Sequence, residues 1–123
     1  MGHKLTVFLL TLMFFVGCQG EVVVPPHLIG VWATSAPKYA GRYLRITDHR
    51  LIYGLGEGEE VSHEIEKIDS EQGNGGKVYT FHYRDSERKK WTITLTFRSD
   101  AGSIQIKNID GIWERTKTGD SGQ

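Results

Sequence analysis

Two runs decide the fold: Lys77-Val78-Tyr79-Thr80-Phe81-His82-Tyr83 and Trp91-Thr92-Ile93-Thr94-Leu95-Thr96-Phe97, separated by the charged stretch 85–90. In both, a large side chain alternates with a polar one. Tyr79, Phe81, Tyr83, Trp91, Ile93, Leu95 and Phe97 fall on one side, and Thr80, His82, Arg84, Thr92, Thr94 and Thr96 on the other. Period-two alternation belongs to a half-buried strand, because successive side chains of extended backbone point to opposite faces. Two such runs around a short polar loop predict an antiparallel hairpin with one apolar face.

The same grammar extends in both directions. Gly73-Asn74-Gly75-Gly76 is a turn, and before it the stretch 59–68 puts Val61, His63 and Ile65 on one face. Reaching Ile68 on that face needs one extra residue, so a bulge near Glu66 is expected. A short helix over 59–71 is the alternative, since glutamates dominate there. Further upstream, 51–55 returns from a turn at Asp48-His49, Leu44 and Ile46 share a face, 35–41 is a loop, and 28–34 is the first strand. Downstream, turns at 99–102 and 108–111 flank Ile104 and Ile106, and 112–116 closes the domain. The chain is thus expected to be all-β, with about eight short strands joined by hairpin turns. Such a meander must hide its edges, so a small antiparallel up-and-down barrel or curled half-barrel is expected, with a two-sheet β-sandwich as the alternative.

Composition narrows the class. The chain has 123 residues, with 15 basic and 15 acidic side chains. Only Lys4 among them lies in the first 17 residues, so the remainder carries 14 basic against 15 acidic, net −1. That balance lacks the basic excess nucleic acid requires, and it gives no net attraction to anionic lipid. Cys18 is the single cysteine, so no disulfide forms within the chain. The expected layout is a signal segment at 1–17, a tethered linker at 18–27, a domain at 28–116 and a polar tail at 117–123.

The start of the chain reads as an export signal. His3 and Lys4 precede an uncharged, mostly apolar run from Leu5 to Val16, too short to cross a bilayer as a helix. Phe15-Val16-Gly17-Cys18 then resembles the lipobox of bacterial lipoproteins, with Phe15 where that family usually has leucine. The resemblance implies a diacylglycerol on the Cys18 thiol and cleavage that leaves Cys18 as an acylated N-terminus. Gln19 stands where an aspartate would favour the inner membrane, which implies the periplasmic face of the outer membrane. Cleavage after Gly20 by an ordinary signal peptidase, giving a secreted or periplasmic chain, is the alternative. Pro25-Pro26 stiffens the linker.

Gly30-Val31-Trp32 on the first strand and Trp113-Glu114-Arg115 on the last resemble the lipocalin pattern. In that family a G-x-W opens the barrel, and a late arginine crosses the tryptophan where the ends meet. The resemblance implies that Gly30, Trp32 and Arg115 close the barrel. This chain is shorter than a lipocalin and has no sign of the helix that follows that family's barrel.

Signatures of catalysis are sparse. There is no G-x-S-x-G elbow and no phosphate-binding loop; Gly54-Leu55-Gly56-Glu57-Gly58 has no lysine and opens no helix. No histidine pair has zinc spacing, and neither metal nor cofactor is expected. The acidic residues of 57–66 read as a solvated face. His63 reads first as a core histidine. A ligand-binding or catalytic His63 is the alternative. Tyr79, Phe81, Tyr83 and Trp91 read first as packed core, and as candidate ligand-lining residues together with His63. The expected function is a non-enzymatic, lipid-anchored envelope domain binding a small apolar ligand, a membrane component or an envelope protein. A structural lipoprotein acting through protein contacts is the second reading. Replacing Cys18 by serine is expected to release the protein from membranes, because several acyl chains hold stably where none remains. Wild type and variant found in the same fraction after cell lysis would contradict acylation.

Overall fold

The computed structural model describes residues 22–116. The export stretch, Cys18 and the tail 117–123 lie outside the described residues. The strands are β1 (Gly30–Thr34), β2 (Tyr43–Ile46), β3 (Arg50–Gly56), β4 (Glu59–Gln72), β5 (Lys77–Arg84), β6 (Lys90–Arg98), β7 (Ser103–Ile106) and β8 (Trp113–Arg115). The hairpin of β5 and β6 forms as expected, with Tyr79 opposite Leu95 and Phe81 opposite Ile93. Each strand pairs antiparallel with the next, and β8 pairs with β1, so the sheet closes into an eight-stranded up-and-down barrel. This is the architecture the lipocalin resemblance implies. Closure pairs the first strand with the last, so the meander is not left with two free edge strands.

The irregularity of β4 follows from its contents. Its first half pairs with β3 and its second half with β5, and the register shifts between Ile65 and Lys67. That shift is the expected bulge at Glu66, and it keeps Ile65 and Ile68 both facing the core. No helix forms over 59–71, because ladder pairing on both sides and a buried Ile65 outweigh the local preference of glutamates.

The inside is apolar and packed. Trp32, Leu51, Phe81, Leu95 and Ile104 are fully buried, with Leu44, Ile46, Ile65 and Tyr79 close behind. The outer face carries paired charges instead, Arg45 with Glu60, Arg84 with Glu66 and Lys67 with Asp69, and His82 Nε2 lies 2.8 Å from Asp69 Oδ2. A barrel that is polar outside and apolar inside is the reverse of one embedded in lipid. Among the described residues, no helix is long and apolar enough to cross a membrane.

One glycine shows how tightly the wall is built. Gly54 lies opposite Tyr43, whose ring crosses it closely enough that a Cβ there would sit 2.2 Å from the ring. The Tyr43 hydroxyl thereby reaches Glu60 two strands away, beside the Arg45 guanidinium at 2.5 Å from the same carboxylate.

The ends of the barrel differ. At one end the segment expected to be a spacer is, from Val22 onward, part of the packed body. Val22 packs on the core, Val24 is buried, and Pro26–Leu28 form a 3-10 turn that drives Leu28 fully inside. Leu28 therefore does not begin the first strand. Pro25 and Pro26 fix the backbone in a turn, the Leu28 amide donates to the Pro25 carbonyl, and the strand starts at Gly30. His27 rests on Phe97, with ring centroids 4.6 Å apart, and its Nε2 lies 3.0 Å from the Tyr79 hydroxyl. These residues cork the barrel. The opposite end is ringed by the loops β1–β2, β3–β4, β5–β6 and β7–β8, and Tyr39 covers part of it by packing on Trp113.

Leu28→Ala removes the centre of the cork. It is expected to lower stability by about 2–4 kcal/mol, read as a drop in the urea midpoint with an unchanged denaturant slope. A midpoint equal to wild type would mean that the cork carries no packing energy.

Candidate functional site

The seam where the sheet closes joins three of the residues singled out in the sequence. Trp32 lies opposite Arg115 in the β1–β8 register. The Arg115 guanidinium carbon sits 4.9 Å from the Trp32 ring centroid, and its Nη2 donates to the His27 carbonyl. Trp32 Nε1 donates to the Leu28 carbonyl at 3.0 Å. Gly30 has φ +149°, a conformation open to glycine, and a Cβ there would meet the Arg115 side chain at 3.1–3.3 Å. The seam and the cork are thus one assembly at the closed end.

The open end is different in character. Tyr53, Leu55, Val61, His63, Tyr83, Asp85 and Trp91 line a hollow of about 340 Å³. All but Asp85 continue the inward-facing rows of β3, β4, β5 and β6 beyond the packed core: Tyr53 is opposite Val61, and Tyr83 opposite Trp91. Leu55, Val61 and Trp91 are 42%, 38% and 44% exposed. Large apolar side chains on inward rows are expected to be covered, and here they are left uncovered together. That is what marks the mouth as a candidate binding surface.

The aromatic groups hold one another in place. His63 stacks on Tyr83 with centroids 4.6 Å apart and planes 29° from parallel. Tyr53 stands edge-on to His63 at 5.9 Å, and its hydroxyl donates to that of Tyr83 at 3.1 Å. Burial, with that hydrogen bond adding to it, pushes the Tyr53 phenol well above its ordinary range. At the rim, Trp91 Nε1 donates to Asp85 Oδ2 at 2.9 Å, and the Glu87 and Lys89 amides donate to Asp85 Oδ1. The indole donor first, and then the Lys89 amide, hold the Asp85 carboxyl below the usual carboxylate range. Asp85 is therefore a fixed negative charge at the lip. Chemically the mouth offers flat π faces, aliphatic contact and one carboxylate.

The candidate ligand-lining residues of the sequence thus divide. Tyr79 and Phe81 sit in the packed core below. His63, Tyr83 and Trp91 line the mouth. Trp91 is not packed core, although its row is the expected one. β7 pairs with β6 only from Leu95 onward, so no strand lies beside Trp91, and its indole turns to Asp85 instead. Sequence reasoning missed Tyr53, Leu55, Val61 and Asp85 as members of the site. Tyr53 is two residues from Leu51 on the same row, but only the curl of the sheet across β4 brings it beside Tyr83.

Among the described residues three hollows are larger: one over Thr80, Thr94, Thr96 and Gln105 of about 690 Å³, one beside Glu66, Lys67 and His82 of about 600 Å³ that shares Tyr83 and Trp91 with the mouth, and one of about 410 Å³ between Tyr53, Thr92, Ile106 and Asn108. The walls of the first two include polar side chains already engaged with one another, Thr80 with Thr94 and Glu66 with Arg84, and the third is walled in part by buried Ile93 and Ile106. The mouth is the better candidate, despite its smaller volume, because its apolar groups have no partner. Among the described residues, no three histidine, cysteine or acidic side chains converge as a metal site would require. Comparisons with protein-family models, with curated proteins and with solved structures each find no match. Function is accordingly argued from these residues.

Tyr53 links the site to pH. Folded, its phenol stays protonated where an unfolded tyrosine of ordinary value 10.0 ionises. Its contribution to stability is therefore complete below pH 10 and is lost as pH rises above that value. Tyr53→Phe is expected to make the alkaline fall shallower by about 1.4 kcal/mol per pH unit, measured as urea midpoints at a series of alkaline pH values. Parallel curves for variant and wild type would contradict the burial of Tyr53.

Proposed function

We propose that this chain is a non-catalytic binding domain, held at the cell envelope by acyl chains on Cys18, that takes a small, mostly apolar molecule at the open end of its barrel. The observation that carries the reading is the convergence of uncovered Leu55, Val61 and Trp91 with Tyr53, His63 and Tyr83 around one hollow. Its volume is at the lower end of small-molecule sites, where apolar walls supply affinity and a few polar groups supply orientation. Phe81 and Leu95 fill the barrel below, so the ligand rests in the mouth and not deep in the interior.

The tether bears on the choice of ligand. Val22 is four residues from Cys18, a reach of at most about 14 Å. Val24 is buried in the corked end, so a chain acylated at Cys18 leaves the barrel there. The mouth then faces away from the bilayer. This favours a molecule arriving from the aqueous side over a component of the anchoring membrane.

A second reading, contact with an envelope protein, draws on the upper part of β6. There β7 does not pair with it, and an added strand could lie alongside.

The test is a titration with N-phenyl-1-naphthylamine, an uncharged probe that brightens in apolar surroundings. Saturable binding to wild type is expected, weakened about tenfold or more by Trp91→Ala and by Tyr83→Ala, since each removes a large apolar contact. The absence of saturable binding, or binding indifferent to both substitutions, would count against the reading.

A further inference from the structure

The mouth has a sign. Of its seven lining residues, Asp85 alone carries a fixed formal charge, and its carboxylate is held in place by the Trp91 indole and two backbone amides. The rest of the wall presents the faces and edges of Tyr53, Tyr83, His63 and Trp91. The π faces of tyrosine and tryptophan are negative, and they attract cations, most strongly cations too apolar to be well hydrated. Nearby basic residues do not line the hollow. Arg84 is drawn to the outer face by Glu66 at 3.2 Å. Lys89 places its ammonium 4.7 Å from the Trp91 ring centroid, so that ring already receives a cation of this chain.

From this we infer that the mouth selects a cationic ligand: an organic ammonium whose apolar groups lie against Tyr53, Tyr83 and Trp91 while its charge faces Asp85. This rests on the mouth being the binding site, and adds the chemical class of what it binds. An anion of the same shape meets the Asp85 carboxylate and the same negative ring faces, so it is rejected. A neutral molecule of the same shape keeps the apolar contact alone.

Benzyltrimethylammonium and neopentylbenzene, its uncharged isostere, separate these terms, with phenylacetate as the anion. Trp32 and Trp113 are buried and Trp91 is not, so a change in the solvated part of tryptophan emission reports on the mouth. With the full chain, the ammonium is expected to bind about tenfold tighter than its isostere, and phenylacetate is expected not to bind. Asp85→Asn keeps an oxygen acceptor for the loop amides. It is expected to cut the preference of the ammonium over its isostere to about threefold. Lys89→Gln removes a competing cation and is expected to tighten the ammonium alone. An unchanged preference in Asp85→Asn, whatever the two affinities, would mean that Asp85 only shapes the loop, and overturns the inference. Equal binding of ammonium and isostere overturns the inference while leaving the mouth as the binding site. Binding of neither, under conditions where wild type is folded, overturns both.

Discussion

The structure depends on the stack of Arg115 over Trp32. An eight-stranded meander has two free edges, and only their pairing makes the sheet a barrel. β8 is three residues long, Trp113–Arg115, so few ladder bonds hold that seam. Arg115 adds three contacts to them: its guanidinium over the indole, its Nη2 to the His27 carbonyl, and its side chain over Gly30. Each is modest, of the order of 1 kcal/mol. Together they tie first strand, last strand and N-terminal turn at a single point. The Trp32 indole then fixes Leu28 through its carbonyl, and Leu28 fills the end of the barrel.

Because one end is shut in this way, the other can remain open. The core below Tyr83 is complete without the mouth, so Leu55, Val61 and Trp91 are not needed to cover it. Uncovered apolar surface carries a cost in solubility, and chains keep it where a partner or ligand covers it. The mutual stacking of His63, Tyr83 and Tyr53 gives the mouth a fixed shape before any ligand arrives, which lowers the entropy lost on binding. His63 accordingly has a ready structural account, as one of the stacked rings that shape the wall.

Much of this was legible in the residues. Strict alternation through Tyr79–Phe97 named the hairpin, and the misfit between Ile65 and Ile68 named the bulge. Gly30, Trp32 and Arg115 stand out by a pattern, and the barrel brings those three residues together. Other parts were hidden for physical reasons. Proline pairs usually mark spacers, and nothing local says that Pro25-Pro26 turns Leu28 into a core. Trp91 reads as buried because its row is buried. Its exposure follows from where β7 stops, a fact of pairing between distant segments. Asp85 looked like one charge in a hairpin tip, and only the indole hydrogen bond sets it at the lip of a hollow.

Native-state amide hydrogen exchange tests the closed barrel most directly. If the sheet is shut at the seam, the Thr116 amide, which donates to the Val31 carbonyl at 2.8 Å, and the paired amides of β1 and β8 are expected to exchange nearly as slowly as those in the β5–β6 hairpin. If β1 and β8 lose their protection orders of magnitude sooner than β5 and β6, the sheet is an open half-barrel. The Arg115–Trp32 stack would then not be what holds the structure together.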